Sequence, residues 1–470
     1  MRSSVDRNRR KMLKQLAALP LASGVSLMAG GQQAHAQAAV CSTGKSLVCI
    51  FLAGGADSFN MFVPGDGNYD TYRQTRGELA VDDTTLLEVN DAAQGRFGFN
   101  ELLPGLSDLY TQNRLAVVAN TGTLLRPTSK SDYLNTSFLP ESLFAHNTQQ
   151  KLWQTGAGIV SGSNSFGWGG AIGDHAANCN GNISIAPSFS IAGNADWLTS
   201  ANNNYISLNA DVAVERMYGY DNLSDWIPGS RLNRIGPTLE SLIAQGQDAR
   251  DAAILNEVSN AVSRATSSTA ALHTALLDNP LSQMQYDGRN KLASQLHLVA
   301  RLIASREQLG MNQQVFFVLM GGWDTHSDQN ERSPALFQEF NEAITAFQFT
   351  IDDINQSSSV TSFTASDFGR TLTSNGNGTD HGWGGHNFVF GDAVAGGQVF
   401  GQMPSYADFN NPDDAGDRDG NFAGRLIPQI SVNQYAATLA RWMGVDEAAL
   451  QQALPNLANF TQKDLGFFRA

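Results

Sequence analysis

The sequence predicts an α/β fold: a three-layer sandwich in which a mostly parallel central sheet carries helices on both faces. Three observations predict it. Continuous apolar runs of strand length recur four times, each run ends in a polar loop, and long stretches of helical periodicity separate them. Strands that are apolar throughout are buried on both faces, as in parallel sheets covered by helices. Their alternation with helices gives the layers.

The first strand is read over residues 46–53 (SLVCIFLA), closed by Gly54-Gly55. Asp57 therefore falls just beyond the C-terminal end of a strand, the edge at which open α/β sheets bind ligands. It can cap the following segment or serve as a first metal ligand, with Asn60 orienting it. The same pattern recurs at 115–120 before Thr121-Gly122, at 314–320 before Gly321-Gly322, and at 359–365 before Ser366-Asp367. Helical spacing is expected over 100–112, 236–277, 289–309 and 333–354, the third carrying Leu292, Leu296, Val299, Leu302 and Ile303. Residues 156–235 are rich in Gly, Ser and Asn and read as an insertion or cap over the sheet edge. Trp168, Trp197, Tyr205 and Trp226 within it would suit a sugar-polymer-binding surface if exposed.

Residues 1–38 read as a twin-arginine export signal. The basic stretch Arg9-Arg10-Lys11-Met12-Leu13-Lys14 precedes a weakly apolar segment and the small residues Ala34 and Ala36. Pro20, Ser23, Gly24 and Ser26 interrupt the apolar segment, which falls short of the ~20 residues of a span, so removal is expected and no stable membrane anchor remains. The expected location is periplasmic or secreted, with the twin-arginine machinery as a partner. Folded export allows a metal to be loaded beforehand. Residues 45–470 are expected to form a single domain.

The net charge is −14. Because Arg2, Arg7, Arg9, Arg10, Lys11 and Lys14 all lie in the export signal, the remainder is more acidic still. Nucleic acid and anionic membrane are therefore excluded as main partners, since both demand a basic surface. Of three cysteines, Cys41, Cys49 and Cys179, at least one is unpaired, and no disulfide framework is expected. Cys49 sits in the first strand and reads as a core residue. No Gly-rich nucleotide loop follows a strand. Asp413, Asp414, Asp417 and Asp419 lack the alternation of a calcium loop and read as a solvated acidic turn.

Histidine is scarce, at eight in the chain. Yet His326, His381 and His386 lie close in sequence beside Asp324, Asp367 and Asp380. Imidazole nitrogens mixed with carboxylate oxygens favour a divalent transition metal, zinc first, with manganese, magnesium or calcium as alternatives. Asp324 and His326 are two apart and in an extended loop leave the same face. Asp380 and His381 are adjacent and would point to opposite sides, so that each serves a different metal. Gly382, Gly384 and Gly385 would let the chain return His386 to the same cavity.

The segments FLAGGADSFN (51–60), GWDTH (322–326), SDFGR (366–370) and NGNGTDHGWGGH (375–386), with LFAHNTQQ (143–150), resemble the bacterial family built around domain of unknown function 1501. The resemblance implies membership of the alkaline-phosphatase and sulfatase superfamily, hence an alkaline-phosphatase-like sandwich with two metals above the sheet. It implies Asp57, Asp380 and His381 on one metal and Asp324, His326 and His386 on the other. The implied activity is hydrolysis of phosphoric or sulfuric esters, small or polymeric. Candidate nucleophiles are Thr121 and Ser142, and Arg370 is the candidate clamp for the ester's outer oxygens. No formylglycine sulfatase motif is present. The competing reading is a non-catalytic exported scaffold that uses the metal for stability.

Overall fold

Seven of the eight residues of the first strand, β1 (Lys45–Leu52), are buried. Leu47, Cys49 and Phe51 enter one hydrophobic core, while Val48, Ile50 and Leu52 enter another. A period of two divided between two covered faces is what a central strand requires. The computed structural model describes residue 41 and residues 44–133, 138–156, 166–181, 185–211, 235–247, 253–407, 411–416 and 423–469. All belong to one unit, 39–470. The expected export signal lies outside the described residues.

A small sheet follows, made of β2 (Phe62–Pro64), β3 (Leu87–Asp91) and β4 (Gly95–Phe99). The main sheet continues with β5 (Leu115–Gly122), β6 (Ser188–Ser190), β7 (Ile206–Ser207), β8 (Gln313–Met320) and β9 (Val360–Ser366). A two-stranded hairpin, β10 (Arg370–Ser374) and β11 (Thr379–His381), precedes β12 (Gly385–Phe390), β13 (Gln398–Phe400) and β14 (Ile430–Ser431). Among the described residues the main sheet has nine strands in the order β13–β5–β12–β9–β1–β8–β6–β7, with β14 also on β5. Every pairing is parallel except those of β12 with β5 and β9. The mostly parallel sheet, its four predicted strands and its buried character stand as read from the sequence.

Among the described residues, the helices of eight residues or more are α1 (Gly67–Arg76), α2 (Pro104–Thr111), α3 (His146–Thr155), α4 (Trp168–Cys179), α5 (Ile235–Gln247), α6 (Ala253–Asp278), α7 (Lys291–Ala304), α8 (Gln329–Asp353) and α9 (Val432–Met443). Leu106 of α2, Val299 of α7 and Phe340 of α8 fill the core beneath one face of the sheet. Ile172 of α4 and Leu439 of α9 fill the other. Among the described residues no helix is long and apolar enough to cross a membrane.

Three expectations are corrected. The described part of 156–235 is not a cap: α4 packs in the core, and β6 and β7 extend the main sheet beside β8. Trp168 and Trp197 are each 1% exposed and stack edge to face at 5.1 Å, so they offer no sugar platform; Trp226 lies outside the described residues. Their neighbourhood explains the low apolar periodicity. Gly169 and Gly170 of α4 face Trp197 and the Thr199 carbonyl so closely that a Cβ would clash, so small residues stand where a helix normally shows large ones. Cys41 and Cys179 form a disulfide, tying the start of the folded unit to the end of α4. Cys49 is the free thiol, buried, and burial raises its pKa. Finally, Asp414 is fully buried and accepts from the backbone N–H groups of Ala423 and Arg425, which removes it from the expected solvated turn; Asp417 and Asp419 lie outside the described residues.

Candidate metal centre

The C-terminal ends of β1, β8 and β9 meet at one edge of the sheet, and the residues just beyond them build the site. Gly54 follows β1 with φ +118, and a Cβ there would stand 2.5 Å from the Asp324 nitrogen, so glycine alone lets the two loops touch. Its N–H donates to both carboxylate oxygens of Asp367, at 3.2 and 3.3 Å, the first acidic residue beyond β9. Asp324 and His326 come from the loop after β8, and Asp380 and His381 from β11. His146 is the first residue of α3.

Three imidazoles converge on Asp324. The Nε2 atoms of His326, His381 and His146 lie 3.2, 3.3 and 3.5 Å from its carboxylate oxygens. Behind each ring, Nδ1 has an acceptor: Asp367 for His146 at 2.6 Å, Asp380 for His326 at 3.1 Å, and the Phe144 carbonyl for His381 at 2.7 Å. A carbonyl only accepts, so Nδ1 of His381 carries the proton and its Nε2 presents a lone pair. The two carboxylates assign the same tautomer to the other rings.

This arrangement is electrostatically incomplete. The Nε2 atoms of His326 and His381 are 2.8 Å apart, both against a carboxylate, and the buried Nε2 of His146 has no hydrogen-bond partner. Lone pairs so placed repel unless a cation lies among them. Protonation of His381 is opposed first by burial and then by the charges of His146, Arg370 and His326, which together lower its pKa. One atom each from His146, Asp324 and His381 lies within 4.8 Å of the others. Imidazoles fixed from behind by carboxylates or carbonyls are how proteins present histidine to metals.

Asp324 is held by Arg370, whose Nη1 donates to its Oδ1 at 2.9 Å. Burial raises the Asp324 pKa, but the Arg370 hydrogen bond and charge, with His326 and His146, outweigh it and leave the carboxyl below its ordinary range. Asp380 follows the same balance: burial opposes ionisation, while Asn375 and His326 hold it ionised.

The sequence-derived ligand set is only partly assembled here. Asp324, His326 and His381 come together. Asp380 and His381, adjacent on β11, both end on the same His326 ring, one at each nitrogen. Asp380 thus stands behind the His326 imidazole. Asp57 is 2% exposed and ion-paired with the buried Arg76, and it also accepts from Gln329 Nε2 at 2.5 Å. His386 is enclosed by Phe59 and Tyr406: its Nδ1 accepts from the Asn120 N–H, and its Nε2 lies 3.2 Å from the Tyr406 hydroxyl. Burial lowers its pKa to about 3, so it is a neutral core residue. The glycines after His381 do bend the chain, but into β12.

The catalytic candidates are also relocated. Thr121 is buried on β5 and lines a small cavity with His386 and Phe368, and Phe368 in turn packs its ring against His146 and His381. Ser142 is exposed in a left-handed turn whose carbonyl accepts from the Ala145 N–H. Neither hydroxyl hydrogen-bonds to the cluster. Arg370 uses four of its five N–H donors inside the protein: beyond Asp324 it serves Gly54 O and both Oγ1 and the carbonyl of Thr379, and it is fully buried.

The strand-end motifs give no sign that His146 joins the cluster or that Asp367 supports it. One signal existed: His146 and Gln150 are four apart on α3 and both reach Asp367, Gln150 Nε2 at 2.9 Å.

The family described as "Protein of unknown function (DUF1501)" matches residues 197–421. The chain is similar to this family over that span, just under half of its length. The matched span carries Asp324, His326, Asp367, Arg370, Asp380 and His381, whereas His146 and Asp57 lie ahead of it. No curated protein matches the chain. Among solved structures it is similar to Ps i-CgsB (TM-score 0.37, 9% identity, 90% of this chain and 77% of that one). It is also similar to the PsFucS1 sulfatase from Pseudoalteromonas sp. (0.31, 8%, 77% and 66%). A third is the soluble domain of lipooligosaccharide phosphoethanolamine transferase A from Neisseria meningitidis (0.33, 8%, 92% and 96%).

Proposed function

We propose that this protein is an exported metal-dependent hydrolase of phosphoric or sulfuric esters, with one divalent metal held by His146, Asp324, His326 and His381. The observation that carries the reading is the convergence of three imidazoles, each fixed through Nδ1, on one carboxylate. A set of three nitrogens and one oxygen suits zinc first and other transition metals next. The two-metal arrangement expected from the sequence gives way to a single centre, because Asp57 and His386 are engaged in the core.

The competing scaffold reading requires a closed structural site. Here the Asp324 and His326 side chains are 45% and 43% exposed, so a ligand can reach the centre from solvent. Bound there, the metal would polarise an ester oxygen and lower the pKa of a water, so the chain need not supply a hydroxyl nucleophile. The protein's own part is positional. Asp367, Asp380 and the Phe144 carbonyl keep the imidazole protons at Nδ1, and Arg370 keeps Asp324 ionised. Phe368 shields two of the rings from the cavity beneath.

Export through the twin-arginine route to an oxidising compartment fits the Cys41–Cys179 disulfide. Elemental analysis of the full chain purified after export, with a panel of phosphate and sulfate esters, tests the reading. One metal per chain and turnover abolished by His381→Ala is the expected result. Metal well below one per chain overturns the centre, and one metal without turnover on any ester favours the scaffold.

A further inference from the structure

We propose that Arg425, not Arg370, is the residue that grips the anionic oxygens of a phosphate or sulfate group at this centre. The inference rests on the reading of the centre as a metal-dependent ester hydrolase and deepens it, because it fixes the charge of the substrate.

Four observations lead there. The Arg425 guanidinium is tethered to the centre: its Nε donates to the carbonyl of His381 at 3.3 Å. Its plane is supported by the ring of Phe144, 4.7 Å from centroid to guanidinium carbon, and the carbonyl of that same Phe144 holds His381 Nδ1. The backbone beneath is fixed on both sides, with the Arg425 N–H donating to buried Asp414 at 2.9 Å and the Arg425 carbonyl accepting from Ala415 at 2.8 Å. Among the described residues, neither Nη1 nor Nη2 has a hydrogen-bond partner, and no carboxylate pairs with the side chain.

An arginine held by its backbone, its Nε and an aromatic face, with its two terminal nitrogens free, is preorganised to donate in parallel to two oxygens of one anion. The other cations around the centre are occupied. Arg370 is fully buried and bound to Asp324, Gly54 and Thr379, and Arg332 donates to the carbonyls of Gly322 and Asp324. Arg126 pairs with Asp132. On a chain of net charge −14, a guanidinium that has no acidic partner among the described residues and is bound to the backbone of His381 is the local exception, and it selects a charged ester over a neutral carboxylic one. Sequence reading passed over Arg425 because it belongs to no motif and lies beyond the acidic turn.

The test uses the full chain, zinc-loaded, titrated calorimetrically with inorganic phosphate and with inorganic sulfate. Arg425→Gln should retain wild-type metal content and bind phosphate or sulfate about tenfold or more weakly, the loss expected of a charge-assisted pair. Arg289→Gln, at a surface cation paired with Asp287, should leave the affinity unchanged. If Arg425→Gln binds both anions as wild type does while His381→Ala does not, the clamp is overturned and the hydrolase reading stands. If the metal-loaded wild type binds neither anion, the clamp is likewise overturned. If the protein holds no metal yet binds phosphate in an Arg425-dependent way, the clamp stands and the hydrolase reading falls.

Discussion

Arg370 Nη1 donates to Asp324 Oδ1 at 2.9 Å, although Arg370 is fully buried and Asp324 faces solvent. A buried cation thus reaches outward to fix an exposed carboxylate, and its remaining donors stitch together the loop after β1 and the β10–β11 hairpin. Arg370→Gln should weaken zinc binding about 10–100-fold, as loss of a partner behind a ligand does. It should also lower stability by about 1–3 kcal/mol per abandoned carbonyl at Gly54 or Thr379. Metal titration and thermal unfolding of the same variant separate the two effects; unchanged metal affinity would show that Arg370 is structural only.

Asp367 and Asp57 make a contrasting pair. Both follow strands and both are buried, but one accepts from an imidazole at the centre and the other from Arg76 in the core. Asp367→Asn should reduce metal affinity about 10–100-fold with a modest change in stability, because an amide no longer enforces the His146 tautomer. Asp57→Asn should leave metal content at the wild-type value and destabilise the fold by about 3–5 kcal/mol, since Arg76 is left buried without its counter-charge. Loss of metal in Asp57→Asn would restore the ligand set inferred from resemblance.

The Cys41–Cys179 disulfide closes a loop of sequence separation 138. Cross-links of such span stabilise by about 2–5 kcal/mol. Cys41→Ser should lower the unfolding free energy by that amount while metal content is unchanged, because neither cysteine touches the centre. Equal stability with and without reductant would refute it.

The fold was legible because β1, β5 and β8 each carry an unbroken apolar run of five or six residues, the pattern of strands in a doubly covered sheet. Asp324, His326 and His381 were legible because they share a short sequence span beside strand ends. What escaped was set by distance along the chain. His146 and Asp367 are 221 positions apart, and their hydrogen bond is a product of topology, not of spacing. The same holds for Arg76 and Asp57, whose ion pair sets Asp57 apart from the three imidazoles, and for Phe59 and Tyr406, whose rings enclose His386. Residues 156–235 misled because close helix-to-tryptophan packing demands glycine, which imitates a loop in composition.

His386 offers a pH test independent of the metal ligands' own titration. Its pKa falls from the ordinary 6.5 to about 3 because burial among Phe59, Phe62 and Tyr406 disfavours the charged ring. In the unfolded chain the ring takes up a proton below about pH 6.5, whereas in the folded protein it stays neutral until about pH 3. The unfolded state therefore binds more protons across that window, so stability is fully present above pH 6.5 and declines as pH falls, by about 1.4 kcal/mol per unit for this one group. Denaturant unfolding of the chelator-treated protein between pH 6.5 and 4.5 should show that slope, with the depressed carboxyls of Asp324 and Asp380 adding to it toward the acid end. His386→Gln should lower stability at neutral pH, through lost packing, yet flatten the dependence by about one proton. A slope unchanged by the substitution would mean that His386 is protonated in the fold, and would reopen its place among the residues that meet solvent or metal.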